Sequence, residues 1–251
     1  MLNNLVLGRY YNSNSKIHSM NPLSKIICTL IFVLMVFICN DIKLMLLLSL
    51  LAFLFTEFSK VPRSIYLKTI KSLKFILIFI LVIDLIFKVD IIVTIINMLR
   101  LVTVVIYTSI LTMTTPPTEI TYGLEQLLSP LRLIKIPVNK IALSISLAFR
   151  FIPTLIDEGN KILKSQASRG VDYYNSNLKD KFTAIMSMII PMFVITLKRA
   201  DDLADAMTVR LYNINARRTN FRVNKWNSFD TYMIIIHLFL FLFLIYRYLW
   251  R

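Results

Sequence analysis

The chain has 251 residues, of which 57% are hydrophobic and 17% are charged, and its net charge at pH 7 is +15. This apolar share exceeds that of ordinary soluble domains and predicts an integral membrane protein. A strongly basic soluble protein would suggest a nucleic-acid partner. Beside long apolar runs, basicity instead indicates cytoplasmic loops, so we expect a lipid bilayer and no nucleic acid as partner.

Apolar segments predict about five transmembrane helices. They lie at about residues 26–39, 44–56, 73–87, 91–113 and 232–249. The first two are shorter than the roughly 20 residues that a bilayer requires, so we expect them to extend into their flanks. The polar N-terminal segment lacks the apolar region of a cleavable signal peptide, and the first span is therefore expected to direct insertion.

Basic residues predict the orientation of these spans. The link between the second and third segments is rich in basic residues, whereas the links at 40–43 and 88–90 contain nearly equal numbers of acidic and basic residues. The basic residues of the former link are Lys60, Arg63, Lys68, Lys71 and Lys74. Because basic links stay in the cytoplasm, we expect a cell-membrane protein with a cytoplasmic N-terminus. Arg247 and Arg251 then fall outside, contrary to the rule.

Residues 114–230 differ from the rest because they are mixed in charge and helical in period. The prolines of 114–119 end the fourth span, and a short amphipathic helix is expected at about 120–131. Two longer helices should follow, one ending at Arg169 and the other at about Arg210. The expected fold is thus an all-α membrane protein with four spans in 1–113, cytoplasmic helices in 114–230 and a last span in 231–251.

Each of the two long helices ends on an arginine. Arginine is favoured in a last turn by the helix dipole, and Gly170 can take the left-handed conformation that closes a helix after Arg169. Leu211 cannot do so cheaply after Arg210, so we expect Asn213 to take that role. A single Arg-Gly pair is ordinary capping, but two helices that end alike suggest a shared task.

Several chemistries are excluded by the residues themselves. The only four glycines, Gly8, Gly123, Gly159 and Gly170, cannot form a P-loop or a dinucleotide-binding motif. His18 and His237 have no metal-ligand spacing around them, and we expect His237 to be a hydrogen-bonded packing residue. The sequence therefore predicts a non-catalytic protein without cofactor, catalytic residue or metal site.

Acidic residues and cysteines fit the same interpretation. The three aspartates near the second helix end are expected to pair with Lys198 and Arg199, and not to bind metal; they are Asp201, Asp202 and Asp205. Cys28 and Cys39 share one predicted helix at a separation of about 16 Å along its axis, which excludes a disulfide or a shared metal.

An alternative function rests on two ionisable residues within the apolar segments. Asp84 and Arg100 could belong to the charge path of an autonomous secondary transporter or channel, because such residues are often functional. They would not lie at the same depth, since Arg100 is about ten residues into its helix, or roughly 15 Å. Inverted repeats and paired broken spans are absent from the sequence, and we expect Arg100 to pair within the bundle or contact another subunit.

Three segments resemble the transmembrane T component of energy-coupling factor (ECF) transporters, the CbiQ/EcfT family. SLAFRFIPTLIDEGNKILKSQASRG (146–170) is similar to the first family signature, which ends in Ala-Arg-Gly, here Ser168-Arg169-Gly170. PMFVITLKRADDLADAMTVRLYN (191–213) is similar to the second, with Val209-Arg210-Leu211 in the corresponding place. IHSMNPLSKI (17–26) resembles the N-terminal His-x-x-Asp-Pro-x-x-Lys stretch, with Asn21 in place of the acid.

The resemblance implies a function and a set of partners. In that family both arginines end cytoplasmic coupling helices that dock into grooves of two ABC-type ATPase subunits. The T component joins these ATPases to a small membrane-embedded S component, which binds the transported vitamin or transition-metal ion. The transported substrate, and whether the S component is dedicated or shared, are not encoded in this chain. Val209 and Leu211 suggest that the second docking site is the more apolar one.

Overall fold

The computed structural model describes residues 10–130, 137–170, 178–213 and 225–250. These ranges are helical and contain no strand, which confirms the predicted all-α membrane protein. The helices are α1 (Pro22–Ile38), α2 (Ile42–Ser59), α3 (Arg63–Ser72), α4 (Lys74–Ile86), α5 (Ile91–Thr114), α6 (Pro117–Leu127), α7 (Val138–Ser168), α8 (Leu178–Val209) and α9 (Ser228–Leu249).

The chain divides into two compact units. The bundle unit comprises the described residues of 8–138 and 222–251, and it contains α1 to α6 and α9. The two-helix unit comprises those of 139–221, and it contains α7 and α8. The second unit is therefore inserted in sequence between α6 and α9.

Four stretches of helix are long and apolar enough to cross a membrane, and α1 is a shorter apolar helix of 17 residues. The stretches are Ile42–Ser59, Ile91–Thr114, Phe182–Val209 and Ser228–Arg247. The predicted segment 73–87 forms the 13-residue α4 instead of a long span. The stretch in α8 was not predicted as apolar, because the charges that crowd its C-terminal third conceal the apolar residues before them.

Contacts at both ends of the bundle unit show that α1 and α9 run parallel. At their starts, Asp230 of α9 accepts hydrogen bonds from the Asn21 N–H, 2.9 Å, and the Ser24 hydroxyl, 2.7 Å. At their ends, Arg247 of α9 contacts Asp41, which follows α1, at 3.3 Å. The Arg247 position that opposed the predicted orientation thus has a local carboxylate partner.

The antiparallel helix α5 is fixed to α1 by two cations. The ammonium of Lys25 in α1 donates to the Thr114 carbonyl and the Thr115 hydroxyl at the end of α5, each at 3.1 Å. Arg100 of α5 donates to the carbonyls of Val36 and Cys39 at the end of α1, at 3.3 and 2.8 Å. We call these two ends of the bundle unit the Lys25 end and the Arg100 end.

The core between α1, α2 and α5 is tightly packed. Phe32 and Tyr107 stack with ring centroids 3.8 Å apart, and Met45 and Leu48 of α2 complete the cluster with at most 2% exposure. Since lipid is as apolar as these side chains, close packing and hydrogen bonds hold such helices together.

The helix α6 approaches α1 closely at Gly123. A Cβ at Gly123 would lie 3.0 Å from the Pro22 carbonyl carbon and 3.1 Å from the Leu23 nitrogen. These are backbone atoms, which cannot move aside as the end of a side chain can. Any side chain here would therefore require the two helices to move apart by a few tenths of an ångström.

We expect Asp230→Asn to destabilise the bundle unit. Asp230 is fully buried, and its other oxygen accepts the Asn227 N–H at 2.8 Å, so all three partners are donors. An amide would turn an NH₂ group toward at least one of them, at a cost of about 1–3 kcal/mol. Thermal unfolding in detergent should show a lower midpoint, whereas Asp202→Asn on the exposed surface of α8 should leave the midpoint unchanged.

Candidate functional site

The first candidate helix end is the tip of α7. This helix continues through Pro153 without ending there. Ser168 is its last residue, and the N–H groups of Arg169 and Gly170 bond the carbonyls of Gln166 and Ala167, each at 3.0 Å. Gly170 has φ +88°, the left-handed conformation predicted for it.

The second candidate helix end is the tip of α8, where Val209 is the last helical residue. The Arg210 N–H bonds the Ala206 carbonyl at 3.2 Å. Leu211 has φ +56°, and its N–H bonds the Thr208 carbonyl at 2.9 Å. The Tyr212 N–H closes the turn on the Met207 carbonyl, also at 2.9 Å, which is the hydrogen-bond pattern of a Schellman cap.

The left-handed conformation of Leu211 shows that one prediction made from the sequence was wrong. We expected this residue to avoid the left-handed conformation and Asn213 to take it, but Leu211 adopts it and Asn213 does not have a positive φ. The conformation costs a residue with a side chain about 1–2 kcal/mol. The two capping hydrogen bonds offset this cost.

The two tips place their arginines in the same position. Arg169 and Arg210 each occupy the position directly before the left-handed residue, and both are exposed together with their neighbours. The tips differ in what flanks the arginine. Val209 and Leu211 are 82% and 89% exposed and apolar, whereas Ser168 and Gly170 offer a hydroxyl and no side chain. The structure thus supplies two similar cationic tips with different surroundings.

An ion pair joins the helices that carry the tips. Arg199 of α8 pairs with Glu158 of α7, so Arg199 does not serve the three neighbouring aspartates as the sequence suggested. Its guanidinium instead links α8 to α7. In the part of the chain that the structure describes, no group of three His, Cys, Asp or Glu residues could hold a metal ion.

The N-terminal motif is a structural site in the bundle unit. The Asn21 side chain caps α1 by accepting the Leu23 N–H at 2.9 Å, and Lys25 also donates to the His18 carbonyl at 3.1 Å. The His18 ring contacts the Ser15 hydroxyl at 2.8 Å and donates from Nε2 to the Tyr11 carbonyl at 2.9 Å. Burial lowers the pKa of His18, against the effect of that carbonyl. Asn21 thus performs the capping role that an acid could perform.

The two ionisable span residues are in different situations. Arg100 pairs within the bundle, as expected, and also donates to the side-chain oxygens of Asn97 and Asn40. Asp84 lies near the end of α4, and its Oδ2 atom has no hydrogen-bond partner among the described residues.

His237 is fully buried and hydrogen-bonded, as predicted. Its Nδ1 lies 2.8 Å from the Met233 carbonyl, which can only accept, so Nδ1 carries the proton. In the neutral ring, Nε2 then accepts from the Tyr107 hydroxyl at 2.7 Å.

Sequence reasoning missed Asp230 and Tyr107 as partners. Asn227-x-x-Asp230 before an apolar run has the spacing of a capping box, and the structure contains that box. That pattern could have identified the start of α9. Asn21 and Ser24, which donate to Asp230, and His237, which accepts from Tyr107, lie over 100 residues away from them along the chain, so no local pattern could have named these contacts.

The fold defines an all-α, multi-pass membrane protein, and comparison with known sequences specifies its class. The chain matches the CbiQ family, described as cobalt transport protein, over residues 13–221. It is 36% identical to the energy-coupling factor transporter transmembrane protein EcfT of Bacillus subtilis, over 94% of this chain and 95% of that protein. The EcfT protein of Listeria innocua is 35% identical over the same shares.

The EcfT protein of Lactococcus lactis is 33% identical over 93% of this chain and 94% of its own length. The chain therefore belongs to the CbiQ/EcfT family of transport proteins, which confirms the resemblance seen in its signature segments. It is a membrane component of a transport system.

We expect Leu211→Gly to stabilise the tip of α8. Glycine takes the left-handed conformation without the cost that leucine incurs, so the last turn should gain about 1 kcal/mol. The Tyr212 amide should then exchange its hydrogen about fivefold more slowly, measured by hydrogen exchange. The same change in the helix interior, Leu203→Gly, should have the opposite effect because glycine weakens helices there. Faster exchange of the Tyr212 amide in Leu211→Gly would show that the left-handed conformation of Leu211 does not strain the tip.

Proposed function

We propose that the chain is the coupling subunit of an ECF-type ABC importer. In this proposal it joins two ATPase subunits to a membrane-embedded S component and transmits ATP-driven movement to uptake of a vitamin or transition-metal ion. The observation that supports it best is the pair of exposed arginines, Arg169 and Arg210, each directly before a left-handed residue that follows a helix end. Two similar tips suit two similar partner subunits.

Each tip is suited to bind a carboxylate of an ATPase groove. A guanidinium can bind a carboxylate through two parallel hydrogen bonds, and the cap fixes the backbone that carries it. Movement of the ATPase would then pull on the helix. The Arg199–Glu158 ion pair between α7 and α8 favours transmission of that pull to both helices.

The flanks of the tips suggest that the two docking sites differ. Around Arg210, the exposed side chains of Val209 and Leu211 would bury apolar surface in the groove. Around Arg169, the small flank of Ser168 and Gly170 allows the backbone itself to approach closely. We infer that the second ATPase site is the more apolar of the two.

Exposed apolar surface favours a scaffold that works within a larger complex. The helix α4 has no buried residue, and Phe75 and Phe79 on it are 72% and 63% exposed. On α8, Phe182 and Phe193 are each 62% exposed. Such surfaces need cover from lipid, an S component or an ATPase subunit.

Autonomous transport is the weaker alternative. All four described hydrogen bonds of Arg100 go to neutral oxygen atoms, and two of these belong to backbone carbonyls at the end of α1. Arg100 therefore stabilises the contact between α5 and α1. The sequence also lacks the glycines of a P-loop, so in the proposed complex ATP hydrolysis belongs to the partner subunits and this chain is non-catalytic.

We further propose that the N-terminus and the two-helix unit face the cytoplasm. In this orientation the apolar stretch Phe182–Val209 of α8 is covered by partner subunits or by the membrane surface and does not cross the bilayer. Single cysteines for Lys164 and Asp202, in a background with both native cysteines replaced, should resist an impermeant maleimide in intact cells and react after lysis. A cysteine for Lys43, near the Arg100 end, should react in intact cells because that end would face outward. Labelling of the first two in intact cells would refute this orientation.

The coupling role predicts the behaviour of Arg169→Glu combined with Arg210→Glu. Each change would set two carboxylates against each other in a buried contact, and loss of one partner of such a pair costs about 2–5 kcal/mol. The double variant should lose ATPase association and substrate uptake but retain membrane insertion and S-component binding. Co-purification of the ATPases and uptake in the same cells are the measurements.

The matched control is Lys161→Glu combined with Lys198→Glu, which makes the same charge change on exposed positions away from the tips. We expect it to retain ATPase association and uptake. Each single arginine variant should be milder than the double. Wild-type association and uptake in the double arginine variant would refute the coupling role, whereas equal loss in the lysine control would attribute the effect to net charge.

A further inference from the structure

Two adjoining clefts open at the Arg100 end of the bundle unit. The first, of about 340 Å³, lies between the α1–α2 link and α9, and its wall includes Asn40, Leu44 and Leu244. The second, of about 400 Å³, lies beside the end of α9. Asp41 and Arg247 line both clefts, so the two form one double cleft around this pair.

Arg247 has unused hydrogen-bonding capacity at the double cleft. Among the described residues it makes one contact, to Asp41 at 3.3 Å, and its side chain is 51% exposed. The other oxygen of Asp41 accepts the Lys43 N–H at 3.1 Å. A guanidinium has five N–H donors, so most of those on Arg247 are available to a ligand in the cleft.

The double cleft carries excess positive charge. Arg100 donates to the Cys39 carbonyl and the Asn40 side chain, and both residues line the first cleft. Its described partners are all neutral, so two arginines stand here against the single carboxylate of Asp41. An anionic group is therefore the ligand that the electrostatics favour.

The remaining walls are apolar or aromatic. Phe243 lines the second cleft together with Tyr246 and Trp250, whose rings lie 5.8 Å apart. Tyr246 and Trp250 are 59% and 78% exposed at the end of a membrane-spanning helix, where such rings meet lipid headgroups. Leu242 lies about one turn before Tyr246 on α9, and Phe239 lies about two turns before it. Both present exposed apolar side chains.

We propose that the double cleft binds a phospholipid, with its phosphate on Arg247 and its acyl chains along the exposed face of α9. Free phosphate would leave the apolar walls uncovered, and an uncharged lipid would leave most of the guanidinium donors without an acceptor. An amphiphile with an anionic headgroup satisfies both. A cationic rim above an apolar helix face is the arrangement that this ligand requires.

Native mass spectrometry of the purified protein, titrated with a short-chain phosphatidylglycerol, tests the proposal. Diacylglycerol with the same chains serves as the ligand without phosphate. We expect wild type to retain phosphatidylglycerol at least tenfold more tightly than diacylglycerol. Arg247→Gln should lose about tenfold in affinity for phosphatidylglycerol, as expected for loss of a charge-assisted hydrogen bond, and Lys88→Gln should not.

A second variant keeps all charges and reduces the space. Leu44→Trp should place a larger side chain in the first cleft and weaken phosphatidylglycerol binding. If Arg247→Gln does not fold, the affinity of Leu44→Trp for phosphatidylglycerol tests the proposal. Equal retention of the two lipids by wild type, or wild-type binding in both variants, would overturn the proposal. A benzophenone side chain at Tyr246 should crosslink to lipid in membranes; crosslinking only to another protein would identify a protein interface instead.

Discussion

The bundle unit depends on a reciprocal exchange of cations between α1 and α5. Each helix places one basic side chain at the C-terminal carbonyls of the other, through Lys25 in one direction and Arg100 in the opposite one. A helix C-terminus carries partial negative charge and unpaired carbonyl oxygens, so the last carbonyls of each helix help to compensate the cation of the other. Because the two contacts lie at opposite ends, they also fix the register of the antiparallel pair.

The position of α9 follows from that pair. Asp230 holds its start beside the start of α1, and α6 crosses the same region of α1 at Gly123. The chain therefore leaves the bundle unit after α6 and re-enters it at α9 at one and the same end. An insertion of this kind can vary in length and shape without disturbing the bundle. A unit so inserted is free to carry the tips that we assign to partner binding.

Local patterns predicted the helices but not their partners. Helical periodicity and terminal arginines placed the ends of α7 and α8 within about one residue, because those signals lie within a single turn. Leu211 was predicted wrongly because its propensity was weighed without the two hydrogen bonds of its cap. Asn21 and Asp230 are 209 residues apart, and no spacing rule connects them. In the sequence, neighbouring charges obscured the apolar stretch of α8. The exposure of the two tips could be determined only from the structure.

Lys25 also constrains the order of events during synthesis. The first helix enters the membrane carrying an ammonium group whose acceptors at Thr114 and Thr115 are made about 90 residues later. Until then the ammonium must reach toward water at the membrane surface, since an unpaired charge is costly in lipid. Lys25 is the fourth residue of α1, so the rest of this helix can cross the bilayer while α2 to α5 are translated, and the ammonium gains the acceptors at Thr114 and Thr115 when α5 packs against α1. The final contacts of Lys25 therefore depend on the completion of α5.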